Sequence, residues 1–245
     1  MSKSFTVLKR SLGKKFEQRK ALGSGQEKDI SSRVDNDLPL GLRIGSKISC
    51  STAGYALYRG QMLMKKIDDP LYVLSFGTFE IANSTQKGFR FRLGAEHEVS
   101  ATLQIILQEE DITECRLFTP YANDYPQGSE MDQARFWEDW LDEDGRIGIS
   151  TFSLEDDGVE YGRAISPDGP DWINPIEAEE VVYQDSFDTK VERIHHMFMT
   201  YGRWLDEELE VAEFLMLSAE DHENEALVTL QIGIDIPSSG VSVHY

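Results

Sequence analysis

The stretch "EALVTLQIGIDI" at 225–236 sets the tightest limit on how this chain can fold. Ala226, Val228, Leu230, Ile232, Ile234 and Ile236 occupy every second position. A helix cannot gather such positions on one face, whereas a strand does, because successive Cβ atoms point to opposite sides of a sheet. The same period returns in "SATLQIILQ" (100–108), which sets Ala101, Leu103, Ile105 and Leu107 against Thr102, Gln104 and Gln108. It returns again in "LRIGSKISC" (42–50), with Leu42, Ile44, Ile48 and Cys50 on one face. These are signatures of half-buried strands.

Turn chemistry agrees with that reading. Asp-Gly at 144–145 and at 157–158 supplies the positive φ of tight turns, and the second pair predicts that 147–154 and 159–165 form a hairpin. "QEEDITE" joins 100–108 to 112–118 in the same way. One helix is predicted over "SEMDQARFWEDWL" (129–141). Ser129 caps it, Asp132 stands three residues on as the capping-box acid, and Phe136, Trp137 and Trp140 give it an apolar side. "TPYANDYPQG" (119–128) reads as an irregular connection, and "YGR" at 161–163 and 201–203 marks two glycine kinks in strands. The expected fold is a β-rich α+β domain over 38–245, mostly antiparallel sheets with few helices, preceded by a basic N-terminal arm.

That arm stands out by charge. The whole chain carries −20, yet residues 1–33 hold nine Lys or Arg against three acids. The remaining 212 residues hold 15 basic and 41 acidic side chains. On a helical wheel Phe5, Leu8, Leu12 and Phe16 fall within about 80° of arc. Lys9 and Lys15 flank this stripe, and Arg10 and Lys14 lie opposite. A basic amphipathic helix of this kind suits an anionic membrane surface. The competing reading docks it on its own acidic body. Polar residues 21–38, with Gly23, Ser24 and Gly25, read as a linker, so 1–37 form an arm-and-linker unit.

A strongly acidic body repels nucleic-acid phosphates, which argues against nucleic acid as a partner. Two cysteines without CxxC spacing, Cys50 and Cys115, fit reduced thiols in a cytoplasmic protein. No run of 18 apolar residues predicts a transmembrane helix, and the N-terminus lacks the apolar core of a secretory signal. No phosphate loop, nucleophile elbow or HExxH motif is present, so no cofactor or metal is expected. In "AEHEV", Ala101 stands where a second zinc histidine after His97 would be needed. The pair His195-His196 is the most tempting site, but neighbours in a strand point to opposite faces and cannot share a metal. One packs in the core and one faces out in this reading. The acidic runs at 109–111, 142–144 and 155–157 read as solvated turns. Tyr121, Tyr125, Trp137, Trp140, Trp172 and Tyr183 read mainly as core.

"LPLGLRIG" (38–45) and the run containing "YGRWL", "EFLMLSAED" and "VTLQIGIDI" (201–236) resemble the YjfK-like family of bacterial proteins of unknown function. The similarity spans roughly 38–236. It implies a cytoplasmic protein encoded beside phage-shock-protein-A-like membrane-coat proteins, small membrane proteins and an ATP-grasp amide ligase. It implies no catalytic residue. Two expectations follow from different classes. The first is a non-catalytic accessory or adaptor at the inner membrane surface, part of a membrane-stress response and working with a phage-shock-protein-A-like coat partner. The second is an enzyme, a hydrolase or amide-processing factor acting alongside the ligase through one histidine and carboxylates. A histidine in a concave pocket within hydrogen-bond reach of an acid would rank the second above the first.

Overall fold

In the computed structural model, residues 33–244 are described apart from 68–69, 82–83, 96–97 and 155–156. The alternating stretch near the C-terminus is a strand bonded on both edges. In chain order the strands are β1 (Lys47–Cys50), β2 (Leu71–Ile81), β3 (Gln86–Ala95), β4 (Glu98–Gln108) and β5 (Asp111–Asp124). The helix α1 (Glu130–Leu141) follows, then β6 (Thr151–Leu154), β7 (Val159–Arg163) and β8 (Ile176–Tyr183). The last are β9 (Val191–Asp206), β10 (Val211–Asp221), β11 (Ala226–Asp235) and β12 (Val241–His244). The protein is thus β-rich, with antiparallel pairing throughout the named strands.

Eight of these strands close on themselves in the order β2-β3-β4-β5-β11-β10-β9-β8. β8 completes the ring. It pairs with β2 from Phe76↔Tyr183 to Ile81↔Ala178, and with β9 from Ile176↔Phe198 to Tyr183↔Val191. Closure gives each of these eight strands a partner on both sides. The start of β2 pairs instead with β1, which carries β12, and the distal part of β9 pairs with β7, which carries β6.

Contacts across the ring identify the interior. Arg90 of β3 reaches Met216 Sδ of β10, four strands away in either direction, at 3.6 Å. The set that includes Arg90, Gln104, Glu180, His196 and Ser218 therefore faces inward. The apolar alternation faces outward, onto covering layers. Met199, Tyr201, Leu215, Leu217, Leu230 and Ile232 pack under α1, β6 and β7. Phe91, Leu103, Ile105, Leu117 and Ile234 pack under the 38–67 segment and β1. This corrects the expectation of half-buried strands. Gln104 and Thr102, which read as a solvent face, are 4% and 8% exposed, because that face is the barrel interior. Two inward glycines make room there. A Cβ on Gly77 would stand 1.7 Å from Glu180 Oε1, and one on Gly88 would meet the Phe79 ring at 2.1 Å.

The helix begins as expected, with Ser129 and Asp132 forming both bonds of a capping box. The β6–β7 hairpin forms across Asp157-Gly158, in the shorter spans given above. Two further expectations are corrected. Residues 119–124 continue β5 rather than forming a connection. Pro120 is accommodated because the register with β11 shifts between Leu230 and Gln231, and a bulge spares the ladder bond that proline cannot donate. The first strand is only Lys47–Cys50, since Gly45 turns the chain at φ +88°. The two "YGR" triplets do more than mark kinks. Gly162 lies directly opposite Gly202, and both tyrosines are fully buried. Within the stretch read as linker, Arg33 binds Asp35 through two hydrogen bonds, and the fully buried Asp35 accepts one from the Ile44 N–H.

Candidate functional site

The barrel interior holds a closed set of charges. Glu180 accepts from Arg92 at 2.9 Å and from Arg90 at 3.4 Å, and pairs with His196 Nε2 at 2.8 Å. His196 Nδ1 lies 3.0 Å from Ser218 Oγ, and Gln104 accepts from Arg90 Nε at 3.0 Å. Phe79 and Phe198 face the Arg90 guanidinium at 4.8 and 5.4 Å. Burial opposes the charge on Glu180, yet Arg92, His196 and Arg90 together hold its carboxyl well below the usual range. Burial and Arg90 keep His196 below its ordinary value and hence neutral. The order Ser218–His196–Glu180 has the outline of a nucleophilic triad. It is not one in function. Ser218 and Glu180 are fully buried and His196 is 1% exposed, so no substrate reaches the hydroxyl, and the Arg90 cation opposes the imidazolium that proton abstraction would create.

Toward β10's end the network continues to Glu220, held down to about 2, first by its hydrogen bond with His222 against the desolvation that raises it. His222 lies 3.1 Å from Glu220 and 2.8 Å from Glu192, and these bonds outweigh burial and push it up to about 9.

His195 points to the outer face, as expected for the strand neighbour of His196, and its Nδ1 lies 2.8 Å from Glu179 Oε1. The two line a depression of about 740 Å³ with Thr78, Glu80, Ser84 and Lys87. A histidine in a concave setting beside an acid is therefore present. The setting is wet: Glu80, Ser84, Lys87 and Glu177 are exposed, and the Glu179 side chain is 57% exposed.

A second concavity, of about 310 Å³, lies between the 51–67 loop and the outside of the barrel. Its floor is Leu71, Leu117 and Ile234, and the loop adds Met62, Met64 and Ile67. Arg59, Lys65 and Lys66 also line it and are exposed, while Cys50 and Tyr55 close one side. The loop is pinned by its own backbone. Glu213 Oε1 accepts from the N–H groups of Leu63 and Met64 at 2.8 and 2.9 Å, and Thr119 Oγ1 accepts from Lys65 N–H at 3.2 Å. Glu213 is itself neutralised by Arg203 at 2.7 Å and bonded by Tyr161 at 2.8 Å. Asp235 pairs with Arg116 at 2.8 Å. Burial, then the Asp235 charge, push the Tyr55 phenol up to about 12. Asp68 and Asp69 follow Ile67 in sequence and lie outside the described residues.

The expected membrane-binding residues Phe5, Leu8, Lys9, Arg10, Leu12, Lys14, Lys15 and Phe16 lie outside the described residues, as does His97. Among the described residues, no cluster of three His, Cys, Asp or Glu side chains is placed to hold a metal, and no helix is long and apolar enough to cross a membrane. Cys50 and Cys115 are not joined in a disulfide, and burial pushes the Cys115 thiol up to about 11. Sequence reasoning missed the cavity. Its only local trace is Lys65-Lys66 beside Met62, Met64 and Ile67 in an otherwise acidic body.

The chain belongs to the DUF2491 family, a protein family of unknown function, whose match covers residues 9–242 and so reaches into the basic arm. Neither the curated proteins nor the solved structures compared with it give a match.

Proposed function

We propose that this protein is a non-catalytic accessory or adaptor factor acting at the inner membrane surface with a phage-shock-protein-A-like coat partner, the context that its resemblance to the YjfK-like family implies. The observation carrying this reading is the basic-rimmed apolar cavity. Three of the 15 cations in residues 34–245 gather around it, on a body with 41 acids. Leu57, on the same loop, is 88% exposed. An apolar lining with a cationic rim is what an anionic amphiphilic surface meets favourably. The experiment is affinity capture with the full-length chain from membranes in mild detergent. Recovery of a membrane-coat protein supports the reading, and a clean negative removes it.

The enzymatic reading stands second, and His195 beside Glu179 is the observation that favours it. Geometry alone meets the condition that would rank it first. Solvation reverses the order. A carboxylate more than half exposed stabilises an imidazolium by only about 0–1 kcal/mol. Among the described lining residues, the donors Ser84 and Lys87 are exposed, so a developing negative charge would be held in a wet setting. Hydrolysis of model amides or esters that disappears in His195→Gln would restore the enzymatic reading to first place.

A further inference from the structure

We infer that the cavity beneath the 51–67 loop takes the apolar chain of a single-chain amphiphile, with Arg59 and Lys65 holding its anionic headgroup.

The chemistry of the lining selects this class. The floor residues Leu117 and Ile234 are fully buried outward-facing barrel residues, so the floor of the cavity is apolar, with Thr52 and the Tyr55 phenol as polar groups elsewhere in its lining. Cations occupy only the exposed side. A ligand charged throughout, such as a nucleotide, would leave its polar groups unpaired on Leu71, Leu117 and Ile234. A wholly apolar ligand would leave Arg59 and Lys65, both exposed on that side, without an anion. At about 310 Å³ the space sits at the lower bound of small-molecule pockets, about 300–1,000 Å³, and suits one chain better than two. The chain's own basic arm is a poor occupant, because its lysines would meet like charge at the rim. The loop is held by three backbone hydrogen bonds to Glu213 and Thr119, so the site is built before a ligand arrives.

The inference deepens the inner-surface reading and rests on it only for the source of the amphiphile, a membrane lipid or a free fatty acid. The probe is dodecanoate below its micellar concentration, titrated calorimetrically into the full-length chain. Saturable binding at one site is expected, with dodecyltrimethylammonium binding at least about tenfold more weakly because its charge is reversed. Arg59→Glu/Lys65→Glu should weaken dodecanoate by about tenfold or more, with unchanged circular dichroism, since both side chains are exposed. Location is read from Cys50, which lines the cavity and is half-buried, whereas Cys115 is buried. Iodoacetamide should modify Cys50, and dodecanoate should slow that reaction. No binding, equal binding of the cationic analogue, or a Cys50 that is unreactive or unprotected overturns the inference. Two further arms separate it from the membrane reading. Lysophosphatidylglycerol in place of dodecanoate tells a phospholipid source from a fatty-acid source. An arm variant, Lys9→Glu/Arg10→Glu/Lys14→Glu/Lys15→Glu, should keep dodecanoate binding even if it loses vesicles, and its loss of dodecanoate would place the site in the arm instead.

Discussion

Glu180 shows how far a single residue's identity can mislead when only the sequence is known. In "IEAEEVVY" it looks like one more solvated acid on a polar face. In the fold it is fully buried between Arg90, Arg92 and His196, because a closed barrel turns the polar side of each strand into an interior. Periodicity recovered which residues share a face, including the opposite sides of His195 and His196. It carried no information on which face meets water. Removing the charge should be severe, since the buried Arg90 and the partly buried Arg92 both lose their carboxylate. Glu180→Gln should lower the unfolding free energy by about 3–5 kcal/mol in urea denaturation. A loss under about 1 kcal/mol would show that the cluster is not sealed from water. The same network sets a pH optimum. His222 is raised to about 9, so its contribution is full below the unfolded value near 6.5 and lost as pH rises through 9. His196 is depressed, so the unfolded chain takes up a proton there first and stability falls as pH drops below about 6.5. Glu180 and Glu220 are depressed as well, and their stabilisation, present above about 4.5, is lost on further acidification. Stability measured in urea across pH should therefore peak near 6.5. In His222→Gln the alkaline decline between pH 6.5 and 9 should flatten, and a decline of unchanged slope would remove His222 as its cause.

Among the elements, α1 was the most legible, because its start is written in neighbouring residues. The capping box needs only Ser129 and Asp132, and local chemistry does not wait for tertiary packing. What the helix does was less visible. Trp137, Trp140 and Leu141 are buried against the outer face of β9–β11, and Trp140 stacks on Phe152 at 6.3 Å with the Arg146 guanidinium 4.1 Å from its ring. Strand β5 was legible only to its middle. The bulge that admits Pro120 depends on β11, more than a hundred residues later, and no turn rule applied to "TPYANDYPQG" can see it. These two sources of helix stability separate by mutation. Ser129→Ala should cost about 1 kcal/mol, the usual loss of a cap. Trp140→Ala should cost about 3–5 kcal/mol, since it opens a cavity against Phe152 and the barrel wall. Urea midpoints at constant slope measure both, and equal losses would mean that α1 is held by its cap rather than by its packing.

At the scale of the whole molecule, barrel closure was the least legible feature. It depends on β8 meeting β2 about a hundred residues away, and alternation alone fits an open sandwich equally well. Charge layout, by contrast, is carried directly by the sequence. The 41 acids against 15 bases of residues 34–245 are repelled by an anionic bilayer, so any contact with one would have to be made by a basic part. The exposed cations Arg59, Lys65 and Lys66 are one such part, and the arm, with nine bases in residues 1–33, is the larger. The family match begins at residue 9 and so includes Arg10, Lys14 and Lys15. The arm should therefore dominate vesicle binding. Its electrostatic share acts over a Debye length of about 8 Å at physiological salt and should weaken as salt rises. A salt-resistant remainder should persist, because Phe5, Leu8, Leu12 and Phe16 each contribute up to about 1.5–3 kcal/mol on burial. Co-sedimentation with anionic vesicles should be abolished by Lys9→Glu/Arg10→Glu/Lys14→Glu/Lys15→Glu and unchanged with neutral vesicles, while the thermal midpoint of the body stays the same. The competing arrangement, with the arm docked on its own acidic surface, makes the opposite forecast on two counts. The unaltered chain would fail to sediment even at low salt, and reversing the four charges would lower the body's thermal midpoint, because an internal attraction would have become a repulsion.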